Sequence, residues 1–426
     1  MRNNLNNLAR VFASASIGIP LLVSFMLMTL EPTLGPAIAA DQTAVQVQIV
    51  NAGPEPELGT QTIRLKELWR AGGDDDEVFF GNILQVVGGP NGKIYALDVQ
   101  LVQIFVFAAN GEYLGTLGAR GEGPGEVSNS NCMIPMRDGG VGLGQVIPGK
   151  LAMIRANGDP GPILRITDPA EPEGGLVLLM EGRAGHSQLT LAGMRWSFSE
   201  QGMLVQNMFL RGYGMDGIPG MEFFGKQSEF NAAHFEFDEL KYDFPWRRFC
   251  VLADGRVCFA PERNKYEINI CRSDGSVERI IRRPYRSVVR NAEQKEQARL
   301  TTEAIGSHYG RELRGVTIED TEPDILDLWS NPEGHLWVRT SEGDASPDAG
   351  VLTVVDVLSP EGKFVSQRKL VCPGNPMYDG IHFLPGRKVM VVLGAMDAYR
   401  REVDSTTSES QGAAETVHEL ICYGVE

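Results

Sequence analysis

Six times along the chain a residue-plus-glycine turn leads into a compact apolar strand. The turns are Asn91-Gly92, Asp138-Gly139, Gln201-Gly202, Asp254-Gly255, Glu333-Gly334 and Pro385-Gly386. Five are followed by a second such turn: Asn110-Gly111, Asn157-Gly158, Asp216-Gly217, Asp274-Gly275 and Glu361-Gly362. In the first four units the two turns lie 19, 19, 15 and 20 residues apart. Glycine accepts the positive φ that a tight hairpin turn demands, so a turn of this kind between apolar runs is a strong hairpin signal. Two hairpins per unit make a four-stranded blade. Six units predict an all-β, six-bladed β-propeller. A length of 426 residues would otherwise suggest about two or three domains, and a propeller absorbs it in one.

The ends of the repeat predict how the ring closes. Thr62 to Trp69 alternates polar and apolar at period two, as a half-buried strand does. The stretch after it, Leu68 to Val78, runs through glycine and acid to Glu-Val, as Leu117 to Val127 does inside the repeat. Residues 62–70 therefore read as the last strand of a blade with no strands before it. The sixth unit has strands near 381–384, 387–393 and 418–423 and lacks a fourth. The N-terminal strand is predicted to pair with 418–423 and close the last blade, leaving no open edge there. The preceding residues, 40–60, read as a linker or an edge strand. The propeller is expected over 61–426. Two insertions break the period: a short helical one about 287–305, rich in Ala, Glu, Gln, Lys and Arg, and a polar loop about 397–416.

Residues 1–39 read as a signal peptide. Arg2 and Arg10 are the only charges before Glu31, the run Val11 to Leu30 is uncharged, and Ala37-Ile38-Ala39 is a small-x-small cleavage site. The competing reading is a retained membrane anchor, but Gly18, Pro20 and three serines weaken that run. The mature protein is expected to begin at Ala40 or Asp41 and to be extracytoplasmic, periplasmic or secreted, with no stable membrane insertion after cleavage. Six cysteines, Cys132, Cys250, Cys258, Cys271, Cys372 and Cys422, suit an exported chain. Cys250 and Cys258 flank the Asp254-Gly255 turn and should face each other, as a bridge or as two buried thiols. A net charge of −16 disfavours nucleic acid and anionic lipid as partners.

The blade grammar resembles the NHL-type six-bladed propellers of bacteria. The residues that carry the resemblance are Asn91-Gly92-Lys93-Ile94-Tyr95-Ala96-Leu97-Asp98, Ile104-Phe105-Val106-Phe107, Gly118 to Val127 and Glu333-Gly334-His335-Leu336-Trp337-Val338-Arg339. It covers roughly residues 60–424, and it implies a binding scaffold more than an activity.

Local chemistry is sparse. Asp74-Asp75-Asp76-Glu77 lacks the alternate spacing of a calcium loop and reads as a solvated connector. Gly121 to Gly125 lacks a phosphate loop's Gly-Lys-Ser/Thr ending. No Gly-x-Ser-x-Gly elbow exists. A recognition set is expected at Trp246, Arg247, Arg248 and Arg263, which open on one face and combine aromatic and guanidinium groups. The leading expectation is an exported, non-enzymatic binding propeller of unknown protein or small-molecule ligand, with no cofactor. One alternative is a calcium-dependent lactonase or lyase on the same fold. In it Asn82, Asn131, Asp324 and Asp379, each at or near the start of an inner strand, hold one calcium as in lactonase-type propellers, and His382 acts as base. Such residues also serve as ordinary turn formers. A second alternative is a structural module of an envelope assembly.

Overall fold

The computed structural model describes residues 47–73, 78–90, 92–166, 177–231, 234–308, 313–345, 350–405 and 418–425. The expected signal peptide, the acidic run 74–77 and residues 406–417 of the expected polar loop lie outside these.

The described chain folds as six four-stranded antiparallel blades. Blade 1 comprises Ile83–Gly88, Ile94–Asp98, Gln103–Phe107 and Tyr113–Leu117; blade 2 comprises Cys132–Pro135, Val141–Gln145, Lys150–Ile154 and Pro160–Arg165. Blade 3 is longer, with Val177–Ala184, Gln188–Phe198, Leu204–Gly214 and Pro219–Phe230. Blade 4 comprises Phe249–Val251, Val257–Phe259, Glu267–Cys271 and Val277–Arg282; blade 5 comprises Ile325–Ser330, Leu336–Thr340, Val351–Leu358 and Phe364–Val371. Blade 6 takes Gly380–Leu384, Lys388–Leu393 and Glu419–Gly424 from the end of the chain and Lys66–Gly72 from its beginning.

Every glycine of the eleven turns has positive φ, from 75° to 93°. Gly111 shows a second reason for glycine: a Cβ there would stand 2.5 Å from Trp69 Cγ. The unit with the short 15-residue offset is organised differently from the others. Gln201-Gly202 joins the second and third strands of blade 3, whereas the first turns of the other blades join the first and second. The hairpin between its inner two strands turns instead at Gly185, whose N donates to Gln188 O at 2.8 Å.

The N-terminal segment does more than close the ring. Lys66–Gly72 pairs antiparallel with Glu419–Gly424 and completes blade 6. The strand expected at 62–70 is in fact two. Thr60–Arg64 pairs parallel with Phe364–Val371 as a fifth strand of blade 5. Leu65, donating to Val371 O at 2.9 Å, is the crossing point. Upstream, Gln48–Asn51 adds a parallel fifth strand to blade 4. The chain thus runs as a strap across the outer edges of three blades, satisfying backbone groups that would otherwise face solvent.

Six hydrophobic clusters fill the six spaces between neighbouring blades. Between blades 6 and 1, Phe80 meets Phe105 edge-on at 4.9 Å. A fully buried side chain of this size contributes about 1.5–3 kcal/mol, so the ring is held by inter-blade packing at every joint.

The first insertion forms helix α1, Ala292–His308. Asn291 and Gln294 cap it reciprocally: each side-chain oxygen accepts the other's backbone N–H at 2.9 Å. Part of the second insertion, expected as a loop, is helix α2, Ala395–Ser405. Its Met396 sulfur lies 3.8 Å from Thr301 Oγ1 of α1, and Arg400 donates to Gln297. These tertiary contacts hold as helix a segment whose polar composition reads locally as loop. Among the described residues no helix is long and apolar enough to cross a membrane.

Candidate functional site

An inner strand has only one neighbour in its own sheet, so its free edge faces the propeller axis. Blades 1, 3 and 5 share a device on this edge. Their inner strands carry a register shift at Leu84, Met180 and Leu326, and the next residue is Gln85, Glu181 or Asp327. A bulge inserts one extra residue and re-aims the side chain beside it. Here it delivers a polar group each time within an otherwise apolar run.

These groups meet others across the axis. Gln85 Nε2 donates to Glu181 Oε1 at 3.1 Å, and Gln85 Oε1 accepts the N–H of Met133 in blade 2 at 2.7 Å. Glu181 Oε1 also accepts from Arg183 at 2.7 Å. Arg183 stacks over Phe249, the first residue of blade 4, at 5.0 Å. Deep as it lies, its side chain keeps 31% of its exposure. Arg247, entering blade 4, pairs with Asp327 of blade 5 at 3.3 Å. Arg339 stands opposite Asp327 in the same sheet. His382, third residue of blade 6's inner strand, is buried. Burial, and then the positive charges of Arg247, Arg339 and Arg183, hold its imidazole well below its ordinary pKa. His382 is therefore neutral at pH 7. Arg183, Arg247 and Arg339 thus lie near one another around His382, the first two paired with Glu181 and Asp327.

The expected recognition set does not assemble as one patch. Arg247 alone reaches this ring. Arg248 is buried and pairs with Asp243 at 2.6 Å. Trp246 packs on Phe244 at 4.6 Å within the cluster between blades 3 and 4. Arg263, 1% exposed, binds Glu239 at 2.9 Å and Thr321 O at 2.7 Å. Glu239 in turn receives Arg290 at 2.7 Å and the N–H of Glu319 at 2.9 Å. This network ties the helical insertion down, and its cations hold the Glu239 carboxyl below the usual range against the opposing effect of burial.

The four residues expected around a calcium ion are engaged separately. Asp379 spends both carboxylate oxygens on the backbone, accepting from Asn375 N at 2.7 Å and Gly394 N at 2.8 Å. Asn82 is buried, and its N–H donates to Asp98 at 3.2 Å. Asn131 is half-buried beside Cys132. Asp324 is buried between blades 4 and 5, where burial raises its pKa. Among the described residues no three His, Cys, Asp or Glu side chains converge as metal ligands. The six cysteines are buried thiols, with Cys250 directly opposite Cys258.

Gln85, Glu181, Arg183, Asp327 and Arg339 were not singled out from the sequence. The available signal was a lone polar residue inside an apolar run, as in Ile83-Leu84-Gln85-Val86-Val87 and Val177-Leu178-Leu179-Met180-Glu181.

The position of the helices completes the geometry. α1 connects blade 4 to blade 5, and α2 joins the second and third strands of blade 6. In up-and-down blades both kinds of connection emerge on the face where inner strands begin. α2 touches α1 and the inner strand of blade 1. The helix pair thus covers part of the ring's mouth.

A family model, DUF5128, described as a 6-bladed beta-propeller, matches residues 75–132. No curated protein matches the sequence. The fold is similar to that of a member of the duf4221 family from Bacteroides vulgatus, 10% identical with a TM-score of 0.43, over 85% of this chain and 98% of that one. It is similar to regucalcin, a calcium-binding protein from Agrobacterium tumefaciens, at 10% identity and a TM-score of 0.40, over 85% and 95%. It is also similar to virginiamycin B lyase from Staphylococcus aureus, at 8% identity and a TM-score of 0.38, over 85% and 100%.

Proposed function

We propose that the protein is an exported, non-enzymatic binding propeller whose ligand is a small anion held at the inner-strand ring. The observation that carries this reading is the gathering of three guanidiniums, Arg183, Arg247 and Arg339, around a buried, neutral His382 at the inner strands. A guanidinium presents a planar fork of donors that matches carboxylate or phosphate oxygens. Beside a buried side chain such as His382 this pairing is stronger than at an open surface. Arg247 is the natural first contact, since its side chain keeps 47% exposure and its bond to Asp327 is long at 3.3 Å. Export rests on the uncharged N-terminal run and the Ala37-Ile38-Ala39 site.

Isothermal titration of the purified protein with acetate, succinate, citrate and inorganic phosphate tests the reading. At least one anion is expected to bind with Kd below about 1 mM, and Arg247→Ala to weaken it about tenfold. No binding, or binding indifferent to Arg247→Ala, would overturn it.

A further inference from the structure

A recess lies away from the ring, between blades 4 and 5. It is a hollow open to solvent, of about 450 Å³, within the range of about 300–1,000 Å³ usual for small-molecule sites. Its wall holds two buried groups of opposite charge, each with an atom that lacks a hydrogen bond among the described residues.

The positive one is Arg283, whose side chain is 7% exposed. Its guanidinium is caged by three rings: Phe364 at 4.4 Å, Tyr266 at 5.1 Å and Tyr285 at 5.5 Å. Asp356 forms an ion pair with Nε at 3.5 Å, too long to be a good hydrogen bond, and neither Arg283 Nε nor Asp356 Oδ2 has a hydrogen-bond partner among the described residues. The negative one is Asp324, 3% exposed. Its Oδ1 likewise has no hydrogen-bond partner, while the Ser287 hydroxyl and the positive charge of Arg263 act on the carboxyl. Arg283 and Asp324 both line the recess, with Lys265 and Tyr285, and no ion pair joins them.

Leaving a buried charge short of hydrogen bonds is costly, and satisfying only one of an opposite pair leaves the other uncompensated. A simple anion would meet Arg283 but face Asp324. A simple cation would do the reverse. A ligand carrying both charges satisfies both. We propose that this recess binds a small zwitterion of the α-amino-acid class, its carboxylate on Arg283 and Lys265 and its ammonium on Asp324 and Ser287. The aromatic cage fixes the guanidinium in place before the ligand arrives, which lowers the ordering cost of binding. This site is separate from the ring and does not depend on the anion reading.

The test is titration of the purified full chain with each of the common L-amino acids, with their des-amino carboxylates and with the corresponding amines. At least one amino acid is expected to bind with Kd below about 1 mM, and both single-charge analogues to bind about tenfold more weakly or worse. Asp324→Asn and Lys265→Ala are each expected to weaken the amino acid. Lys265 is exposed, so its variant decides the matter if Asp324→Asn fails to fold. Absence of binding by every amino acid, or equal binding of a des-amino carboxylate, would overturn the proposal. So would affinity that falls with Arg247→Ala but not with Asp324→Asn or Lys265→Ala, because it would place the amino acid at the ring.

Discussion

Gln85 and Glu181 join the first and third blades across the inner strand of the second, at 3.1 Å. Met133, in that second blade, donates its backbone N–H to the same Gln85 side chain at 2.7 Å. One amide therefore links three blades at the axis. Each end of the link depends on a bulge, at Leu84 and at Met180, and a third bulge at Leu326 positions Asp327 in the same way.

Gln85→Ala is expected to destabilise the protein by about 1–3 kcal/mol, because it leaves the buried Met133 N–H without an acceptor. Gln85→Glu keeps an acceptor but sets two carboxylates against each other. Its cost should be larger at pH 8 than at pH 5, where one carboxyl can hold a proton. Urea unfolding at the two pH values measures both effects. A Gln85→Ala variant as stable as the parent would show that the link contributes nothing.

The turns were legible because positive φ restricts residue choice, and glycine stands at every one. The missing strand of blade 6 was legible because the last unit is incomplete. The split at Leu65 was not. Both halves of Thr62 to Trp69 alternate at period two, and nothing local tells a strand to leave one blade for the next. Blade 3 was misread for a related reason. Its inner hairpin turns at Gly185, outside the residue-plus-glycine pattern, while Gln201-Gly202 supplied a turn one strand later. At the site, Arg247 and His382 were visible as polar residues near inner strands. Gln85 and Asp327 were hidden, since a bulge that redirects a side chain leaves no periodic mark. Arg263 looked like a recognition residue because sequence shows charge but not the acid, Glu239, that neutralises it.

Arg263→Met should release the helical insertion. The change removes a cation that is 1% exposed from Glu239 and from Thr321 O, while Arg290 still holds Glu239. A loss of about 3 kcal/mol is expected, the lower end of the range for breaking a buried pair. Amide exchange in α1 should quicken more than exchange in blades 1 and 2. Unchanged protection of α1 would mean that the network does not anchor it.

The strap predicts graded effects of N-terminal truncation. A chain starting at residue 59 loses the fifth strand of blade 4 and keeps Thr60–Arg64 and Lys66–Gly72. It should fold with a lowered melting temperature. A chain starting at residue 73 also loses the closing strand and the stack of Trp69 on Phe107 at 5.5 Å. It should lose cooperative melting by circular dichroism, because the edge of blade 6 is then unpaired. Equal melting of the two truncations would show that closure by Lys66–Gly72 is dispensable.

Asp356 gives the protein a pH dependence opposite in sign to that of most carboxyls. Burial pushes its pKa up to about 6, against the opposing effects of Arg283, Gln367 and Tyr266, while Glu342 adds to the rise. In the unfolded chain an aspartate titrates near 3.9. Between these values the folded protein keeps a proton that the unfolded chain has released. The stabilisation is fully present below about pH 4 and is lost as pH rises through about 6, amounting to about 3 kcal/mol. His382 works the other way. Its folded pKa is depressed, so its contribution is present above about 6.5 and declines as pH falls. Subtracting the unfolding free energy of Asp356→Asn from that of the parent between pH 4 and 7 isolates the carboxyl. The difference should favour the parent most at pH 4 and shrink as pH rises. A flat difference would mean that Asp356 titrates as an ordinary exposed carboxyl.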